Sequence, residues 1–208
     1  MFIISRLFEN PILYLIVVIS VIFGLTIHEY FHGWTAYMLG DDTAKMAGRL
    51  TVNPLTHFDP ILTTMIFIIG LGAAKPVPID PYKIRHGRFG VLLVSLAGIL
   101  ANFFSAVIFA IIYKVLIMNG TFPPSNLIFV LLEQLIVMNL VLMVFNLIPL
   151  PPLDGSKVLL MIIHDKYESI YRYFAQNQIL SLILAIMLFS FVGIDLINFF
   201  YNVIFRII

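Results

Sequence analysis

The chain has 208 residues, of which 61% are hydrophobic and 11% are charged. Soluble globular domains carry about a quarter charged residues, so this composition excludes an ordinary water-soluble domain and predicts a protein embedded in lipid. The formal net charge of +1 gives no indication of nucleic-acid binding, and the absence of cysteine excludes disulfides, thiolate metal sites and a cysteine nucleophile.

Four apolar stretches are long enough to cross a bilayer, since about 20 helical residues, each rising about 1.5 Å, span its hydrocarbon core. The first has no charged residue from Pro11 to Ile27, and its helical pattern continues to Leu39. Because no small-residue cleavage site follows its apolar run, we expect a retained helix and not a removed signal peptide. The other three stretches cover residues 89–113, about 126–150 and roughly 179–205.

A shorter apolar run, Ile61–Ala74, is ambiguous between a crossing and a re-entrant segment. Runs of this length are more often re-entrant, interfacial or buried in protein than spanning. If it does not cross, residues 40–88 and 150–178 share one side and hold nine of the 12 basic residues, which marks that side as cytoplasmic. The basic residues alone also permit a crossing, with the molecule inverted.

The predicted fold is an all-α polytopic membrane protein with about four spanning helices, a re-entrant or short apolar segment and an interfacial helix. The mixed stretch 157–178 is expected to be that interfacial helix, short and amphipathic. No repeat, low-complexity tract or linker interrupts the sequence, so we expect one membrane-embedded domain over residues 1–208. The expected setting is the lipid bilayer of the cell membrane, and the oligomeric state stays open.

A metal-binding motif, His28-Glu29-Tyr30-Phe31-His32, lies in the first predicted spanning helix. The spacing of the histidines places both imidazoles on one helix face, where two nitrogens can bind one zinc ion. Glu29 beside the first histidine can then act on a water as general base. The alternative is a polar helix interface or a proton relay, but charged and polar groups are costly in a membrane helix and favour a functional site.

A catalytic zinc usually has three protein ligands, and without cysteine the third must be a histidine or a carboxylate. Asp154 is the strongest candidate, because it follows a predicted spanning helix in a proline-rich turn and precedes Gly155, which permits close backbone approach. The alternative role for Asp154 is the N-cap of the next helix. The other candidate ligands are His57, Asp59, His86, His164 and Asp165.

Membrane sidedness connects the motif with Asp154. The histidines lie toward the end of the first spanning helix that precedes residue 40, and Asp154 follows the third spanning helix. These two ends face the same side only if Ile61–Ala74 does not cross. A shared metal site and the distribution of basic residues therefore both predict a non-crossing segment and a site near the cytoplasmic side.

Three sequence blocks carry a family resemblance: His28–His32, Leu96–Asn102 and Asn146–Gly155. Together, over about residues 22–157, they resemble the site-2 protease family of intramembrane zinc metalloproteases. The resemblance implies that Asp154 is the third zinc ligand and that Asn146 helps to bind the substrate carbonyl or the oxyanion. The middle block departs from the family pattern at Ile99, where the family usually has proline, which bears on a helix kink and not on the chemistry.

Two further blocks, Gly48–Pro60 and Ala74–Pro78, are similar to a compact bacterial subgroup of that family, which lacks PDZ and CBS domains. Asn53, His57 and Asp59 lie in the loop that leaves the motif helix on the metal side. They are candidates for supporting the ligands, gating the site or binding the metal. The alternative is an ordinary turn, which Asn-Pro and Asp-Pro favour. The second block is typical of an extended edge that can pair with an unwound substrate segment.

These patterns predict peptide-bond hydrolysis by a zinc-activated water. Zn2+ is expected to be held by His28, His32 and Asp154. Glu29 is the expected general base, and Asn146 is expected to stabilise the oxyanion. The expected substrates are transmembrane or membrane-adjacent segments of other proteins. The alternative is a non-proteolytic homologue that binds membrane helices, or a metal or proton transporter.

Overall fold

The computed structural model describes residues 8–60, 64–65, 74–162 and 164–208, and within these ranges the chain is helical with no β-strand. A 3-10 turn covers Pro54–His57, and a π-helical turn covers Phe189–Gly193. The all-α prediction is confirmed. The α-helices are α1 (Pro11–Met38), α2 (Thr43–Met46), α3 (Gly87–Met118), α4 (Leu127–Asn146), α5 (Asp154–Ile162), α6 (His164–Gln176), α7 (Gln178–Leu188) and α8 (Ile194–Ile207).

Four helical stretches of the described chain are long and apolar enough to cross a membrane. They are α1, α3, α4 and the continuous run Gln178–Ile207, which comprises α7, the π-helical turn and α8. The prediction of about four spanning helices is therefore confirmed, and the protein is a multi-pass membrane protein. With 28 and 32 residues, α1 and α3 are longer than the roughly 20 residues that a bilayer core requires.

Local signals set the two ends of α1. Asn10 Oδ1 accepts a hydrogen bond from Leu13 N at 3.0 Å, and Pro11 occupies the first helical position, where its missing N–H costs nothing. At the other end, Gly40 adopts a φ of +104°, which a residue with a side chain rarely adopts. The helix therefore stops where the sequence predicts.

The third predicted span was too long, and the helical region predicted at the interface begins earlier than expected. α4 ends at Asn146 and not near residue 150, because the prolines that follow cannot donate backbone hydrogen bonds to a helix. α5 begins at Asp154 and α6 ends at Gln176, whereas the predicted element covered 157–178. Both helices are amphipathic, as a position at the membrane surface requires.

The centre of the bundle lies among α1, α3 and α4. Ala106 and Ala110 of α3 are fully buried, and their small side chains let the neighbouring helices approach closely. Ile136 and Leu140 of α4 fill the same core. The last span contributes Ile204 to this core but exposes many large apolar side chains, as a helix facing lipid does.

Backbone hydrogen bonds bring the end of α1 and the start of α3 to the same side of the bundle. Arg85 N donates to Leu39 O at 2.8 Å, and Lys75 N donates to His57 O at 2.9 Å. Leu39 and Arg85 therefore lie on the same side of the bundle, and His57 and Lys75 lie next to each other. The re-entrant conformation predicted for Ile61–Ala74 itself lies outside the described residues, which include only three positions of that run.

Candidate metal centre

Three buried side chains converge between α1 and α5: His28, His32 and Asp154. The two Nε2 atoms lie 2.9 Å apart, and Asp154 Oδ2 is 3.1 Å from His28 Nε2 and 2.9 Å from His32 Nε2. Each of these side chains is at most 8% exposed. Among the described residues, these are the histidine and acidic groups close enough to share one metal ion.

Helix geometry and one close backbone approach place these groups. The rings of His28 and His32, one turn apart on α1, meet edge to face with their centroids 4.5 Å apart. Asp154 begins α5, and Gly155 after it packs on the end of α4. A Cβ added to Gly155 would lie 2.3 Å from Leu147 O. The close approach predicted for Gly155 is therefore what allows Asp154 to lie beside α1.

Gly98 of α3 leaves room for both imidazoles. A Cβ at this position would lie 2.5 Å from His32 Nε2 and 2.7 Å from His28 Cε1. Both distances are well inside van der Waals contact, so any side chain here would displace the rings. α3 therefore forms one wall of the centre, and glycine is the residue that fits against it.

The hydrogen-bond partner of His32 Nδ1 shows which ring nitrogen carries the proton. His32 Nδ1 lies 2.7 Å from Val94 O, and a carbonyl oxygen can only accept a hydrogen bond. In the neutral ring Nδ1 therefore carries the proton, and the Nε2 lone pair faces Asp154 Oδ2 at 2.9 Å. Two such acceptors repel each other unless a cation lies with them, so the donor set fits a divalent metal.

The two oxygens of Asp154 have different partners. Oδ2 faces the histidines, and Oδ1 accepts a hydrogen bond from the Lys157 ammonium at 3.0 Å. The Lys157 ammonium beside Oδ1 favours the ionised form of this carboxylate. Asp154 is therefore an ionised carboxylate that presents one oxygen to the histidine nitrogens.

Glu29, the predicted general base, lies next to the first histidine on α1. Its Oε2 accepts a hydrogen bond from Val77 N at 2.8 Å. Val77 belongs to the non-helical stretch Ala74–Pro78. This stretch passes close to α1, since a Cβ added to Gly33 would lie 3.0 Å from a Val77 methyl group. The candidate base and the predicted extended segment are thus in direct contact.

Hydrogen bonds within the loop hold His57 and Asn53, two of the three loop residues predicted to support the ligands, gate the site or bind the metal. His57 is buried, with Nε2 2.8 Å from Thr51 O, and Asn53 Oδ1 accepts from Leu55 N at 3.1 Å at the start of the 3-10 turn. These contacts correspond to the ordinary turn considered as the alternative. Asp59 is half-buried. In the described part of the chain, neither His57 nor Asp59 belongs to the metal-ligating group.

Asn146 lies in the last turn of α4 and is half-buried. Its Nδ2 donates to Leu142 O at 3.0 Å. An amide nitrogen carries two hydrogens, so one donor remains beyond this contact. The role of Asn146 toward an oxyanion stays a prediction.

Sequence reasoning assigned no role to Asn102, Asn139 or Lys157. Asn102 of α3 and Asn139 of α4 are fully buried, and Asn102 Oδ1 lies 2.7 Å from His28 Nδ1. The signal that could have found the two asparagines is a polar side chain in an otherwise apolar spanning helix, the same rule that singled out Glu29.

Fold and site together define a multi-pass helical membrane protein with a buried centre of two histidines and an aspartate. Comparison with known proteins agrees, and the chain belongs to peptidase family M50, the site-2 protease family. The family model matches residues 115–193, which include Asn146 and Asp154 but not His28–His32. The predicted family resemblance is confirmed.

Similar proteins extend beyond the part that the family model matches. YwhC of Bacillus subtilis, provisionally named a zinc metalloprotease, is 40% identical over 148 residues, 68% of this chain and 66% of that protein. Rip2 of Mycolicibacterium smegmatis, with the same provisional name, is 32% identical over 155 residues, 70% of this chain and 58% of that protein. Rip2 of Mycobacterium tuberculosis is 32% identical over 162 residues, 72% of this chain and 60% of that protein.

The matches therefore cover 58% to 66% of the length of these relatives. No solved structure matches the chain. The family and the names of the relatives identify Zn2+ as the cofactor, in agreement with the grouping of His28, His32 and Asp154.

Proposed function

We propose that this protein is an intramembrane zinc endopeptidase that cleaves transmembrane or membrane-adjacent segments of other membrane proteins. The observation that carries the proposal is the meeting of His28, His32 and Asp154 inside a helix bundle, with Glu29 on the same helix as the two histidines. Family membership and the names of the relatives support a metalloprotease. The position of the motif in α1, a helix of spanning length, supports cleavage within the membrane.

His28 and His32 Nε2 and Asp154 Oδ2 are the atoms that would hold the zinc ion. When bound, zinc supplies Lewis acidity, which makes water a nucleophile near neutral pH and polarises a carbonyl. Lys157 holds the second oxygen of Asp154 at 3.0 Å and so directs the first toward the histidines. Burial of the ligands excludes competing water from the centre.

Glu29 is proposed to move the proton in this reaction. Its carboxylate takes a proton from the attacking water as the carbon–oxygen bond forms, and delivers that proton to the leaving amine as the carbon–nitrogen bond breaks. The Val77 N–H holds Oε2, which fixes the orientation of the carboxylate and leaves Oε1 for the water. The proton that leaves the water is thus the one that the amine product gains.

Asn146 is proposed to donate its second amide hydrogen to the oxyanion that forms from the scissile carbonyl. The first hydrogen already binds Leu142 O, which anchors the amide at the end of α4. Asn146 and Asp154 flank the same turn, and Gly155 packs on Leu147 next to Asn146. A shift in this turn would therefore move the oxyanion donor and the metal ligand together.

The non-helical stretch Ala74–Pro78 is the proposed docking edge for a locally unwound substrate. A peptide that adds to it as a strand would approach Glu29 through the Val77 contact. The excess of basic residues in 40–88 and 150–178 supports a cell-membrane protein with its site toward the cytoplasm.

Replacement of Glu29 tests the proteolytic function. Purified protein and a model membrane substrate are reconstituted together, and bound zinc and cleavage are measured for wild type, Glu29→Gln and the control Glu133→Gln, an exposed glutamate of α4. We expect Glu29→Gln to keep zinc and lose cleavage, and Glu133→Gln to keep both. A wild type that binds zinc without cleaving would favour a transporter or a non-proteolytic helix-binding homologue. A Glu29→Gln variant that cleaves normally would contradict the role of Glu29 as the base.

A further inference from the structure

We propose that Asn102, held by Gly24 O and Asn139, is the positioning residue that fixes the protonation of His28 so that its Nε2 lone pair faces the metal site. Asn102, Asn139 and His28 come from α3, α4 and α1, and all three are buried. The inference rests on the proposed zinc site and adds the group that makes His28 a competent ligand.

The orientation of the Asn102 amide follows from its neighbours. Asn102 Nδ2 lies 3.0 Å from Gly24 O, a backbone carbonyl that can only accept a hydrogen bond. The nitrogen must therefore point to Gly24, and the oxygen must point the other way. Gly24 also lets α1 and α4 approach closely, since a Cβ there would lie 2.6 Å from a Leu142 methyl group.

Asn139 fixes the same orientation from α4. Its Nδ2 donates to Leu135 O at 2.7 Å, so its Oδ1 faces away from that carbonyl and accepts the second hydrogen of Asn102 Nδ2 at 3.0 Å. Both hydrogens of the Asn102 amide are thus used. The amide is held against two acceptors that belong to different helices, and it cannot flip without breaking both bonds.

The fixed orientation of the Asn102 amide determines which nitrogen of His28 carries the proton. Asn102 Oδ1 lies 2.7 Å from His28 Nδ1 and can only accept, so His28 Nδ1 carries the proton. His28 Nε2 then presents its lone pair toward Asp154 Oδ2 and His32 Nε2. Val94 O does the same for His32 with a backbone carbonyl. A substitution cannot remove the backbone carbonyl of Val94, but it can remove the side chain of Asn102.

The test measures zinc affinity and imidazole protonation in the full chain, in detergent. Affinity is measured by competition with a chelating dye for wild type, Asn102→Leu, Asn139→Leu and the control Ser20→Ala, a buried serine whose hydroxyl donates to Ile16 O of the same helix. Nitrogen-15 NMR of the histidines gives the protonated nitrogen with and without zinc. The signals of His28 and His32 are assigned by substituting each histidine in turn.

We expect Asn102→Leu to weaken zinc binding by about 10- to 100-fold, as loss of a partner behind a metal-binding histidine typically does. Asn139→Leu should weaken it less, since Gly24 O still holds Asn102, and Ser20→Ala should bind as wild type. In the wild type, both site histidines should carry the proton on Nδ1. A purely structural role would lower the melting temperature of Asn102→Leu and leave its zinc affinity unchanged, and that result would overturn the proposal.

Two results distinguish a failure of the Asn102 assignment from a failure of the proposed protease function. If Asn102→Leu does not fold, the wild-type spectrum decides, because a His28 ring protonated on Nε2 and not on Nδ1 in the zinc-free protein, or zinc bound through His28 Nδ1, contradicts the positioning role. If the wild type binds no zinc at all while both site histidines are protonated on Nδ1, the protease proposal fails and the assignment of Asn102 stands.

Discussion

The backbone N–H of Val77 and the carboxylate of Glu29 are joined by a hydrogen bond of 2.8 Å, although 48 residues separate them in the chain. This bond ties the candidate base on α1 to the non-helical stretch that is the proposed docking edge for substrate. A substrate strand that binds this edge would therefore meet a carboxylate whose orientation is already fixed, which lowers the cost of reaching the reactive arrangement.

Substitution of Val77 tests this relationship. Val77→Pro removes the N–H, whereas Val77→Ala keeps it and loses only methyl groups. A hydrogen bond to a charged group contributes about 1.5–3 kcal/mol, so we expect Val77→Pro to slow cleavage roughly 10- to 100-fold with bound zinc unchanged. Val77→Ala should stay near the wild-type rate. Equal rates for the two variants would show that the N–H does not position Glu29.

Gly98 tests the space required by the imidazoles. A Cβ at this position would lie 2.5 Å from His32 Nε2, so Gly98→Ala must displace the ring or the helix. We expect bound zinc and cleavage to fall together, by about tenfold or more, because a displaced ring no longer points at the metal. Leu100→Ala, a change at a lipid-facing position of the same helix, is the control and should keep both. Normal zinc binding in Gly98→Ala would contradict the packing described for α3.

Asp41 tests the anchor between the end of α1 and the start of α3. It is fully buried, and it accepts hydrogen bonds from Thr43 N (3.0 Å), Thr43 Oγ1 (2.5 Å) and Asp80 N (2.7 Å). Burial raises the pKa of Asp41, but these bonds and the nearby Lys83 charge outweigh burial and lower it below the ordinary value. The stabilisation is therefore complete above the pKa of the unfolded chain and is lost as the pH falls through the lower folded pKa.

We expect Asp41→Asn to lower the free energy of unfolding by about 1.5–3 kcal/mol near neutral pH, because the neutral amide loses charge-assisted hydrogen bonds. The loss should shrink as the pH falls through the folded pKa of Asp41. Asp42→Asn is the matched control, since Asp42 is half-exposed and its ion pair with Lys83 contributes at most about 1 kcal/mol. Melting curves in detergent at several pH values give the comparison, and an equal loss in both variants would remove Asp41 as an anchor.

The features predicted from the sequence follow from helix periodicity, the length of apolar stretches and the number of membrane crossings. The four-residue spacing of His28 and His32 fixes their common face in any helix. Asp154 is distant in sequence, and its arrival at the same end of the bundle followed from counting crossings. The four spans followed from apolar length. These features depend on periodicity and composition, which a single sequence contains.

The rest depended on which helix faces meet. Asn102 and Asn139 are polar residues in apolar helices, but their partners are known only once α1, α3 and α4 are packed. The contact of Val77 with Glu29 joins a loop to a helix face, and no periodicity predicts it. The end of α4 at Asn146 was missed because apolar residues continue past the last residue that can remain helical before the prolines.

The central claim is a zinc protease whose third ligand is Asp154, and zinc content measured beside cleavage tests it most directly. Wild type, Asp154→Ala and His57→Ala are purified, analysed for bound zinc and reconstituted with a model membrane substrate. We expect about one zinc per chain and cleavage in the wild type, neither in Asp154→Ala, and both largely kept in His57→Ala. Zinc lost from His57→Ala and kept in Asp154→Ala would make His57 the third ligand and contradict the account.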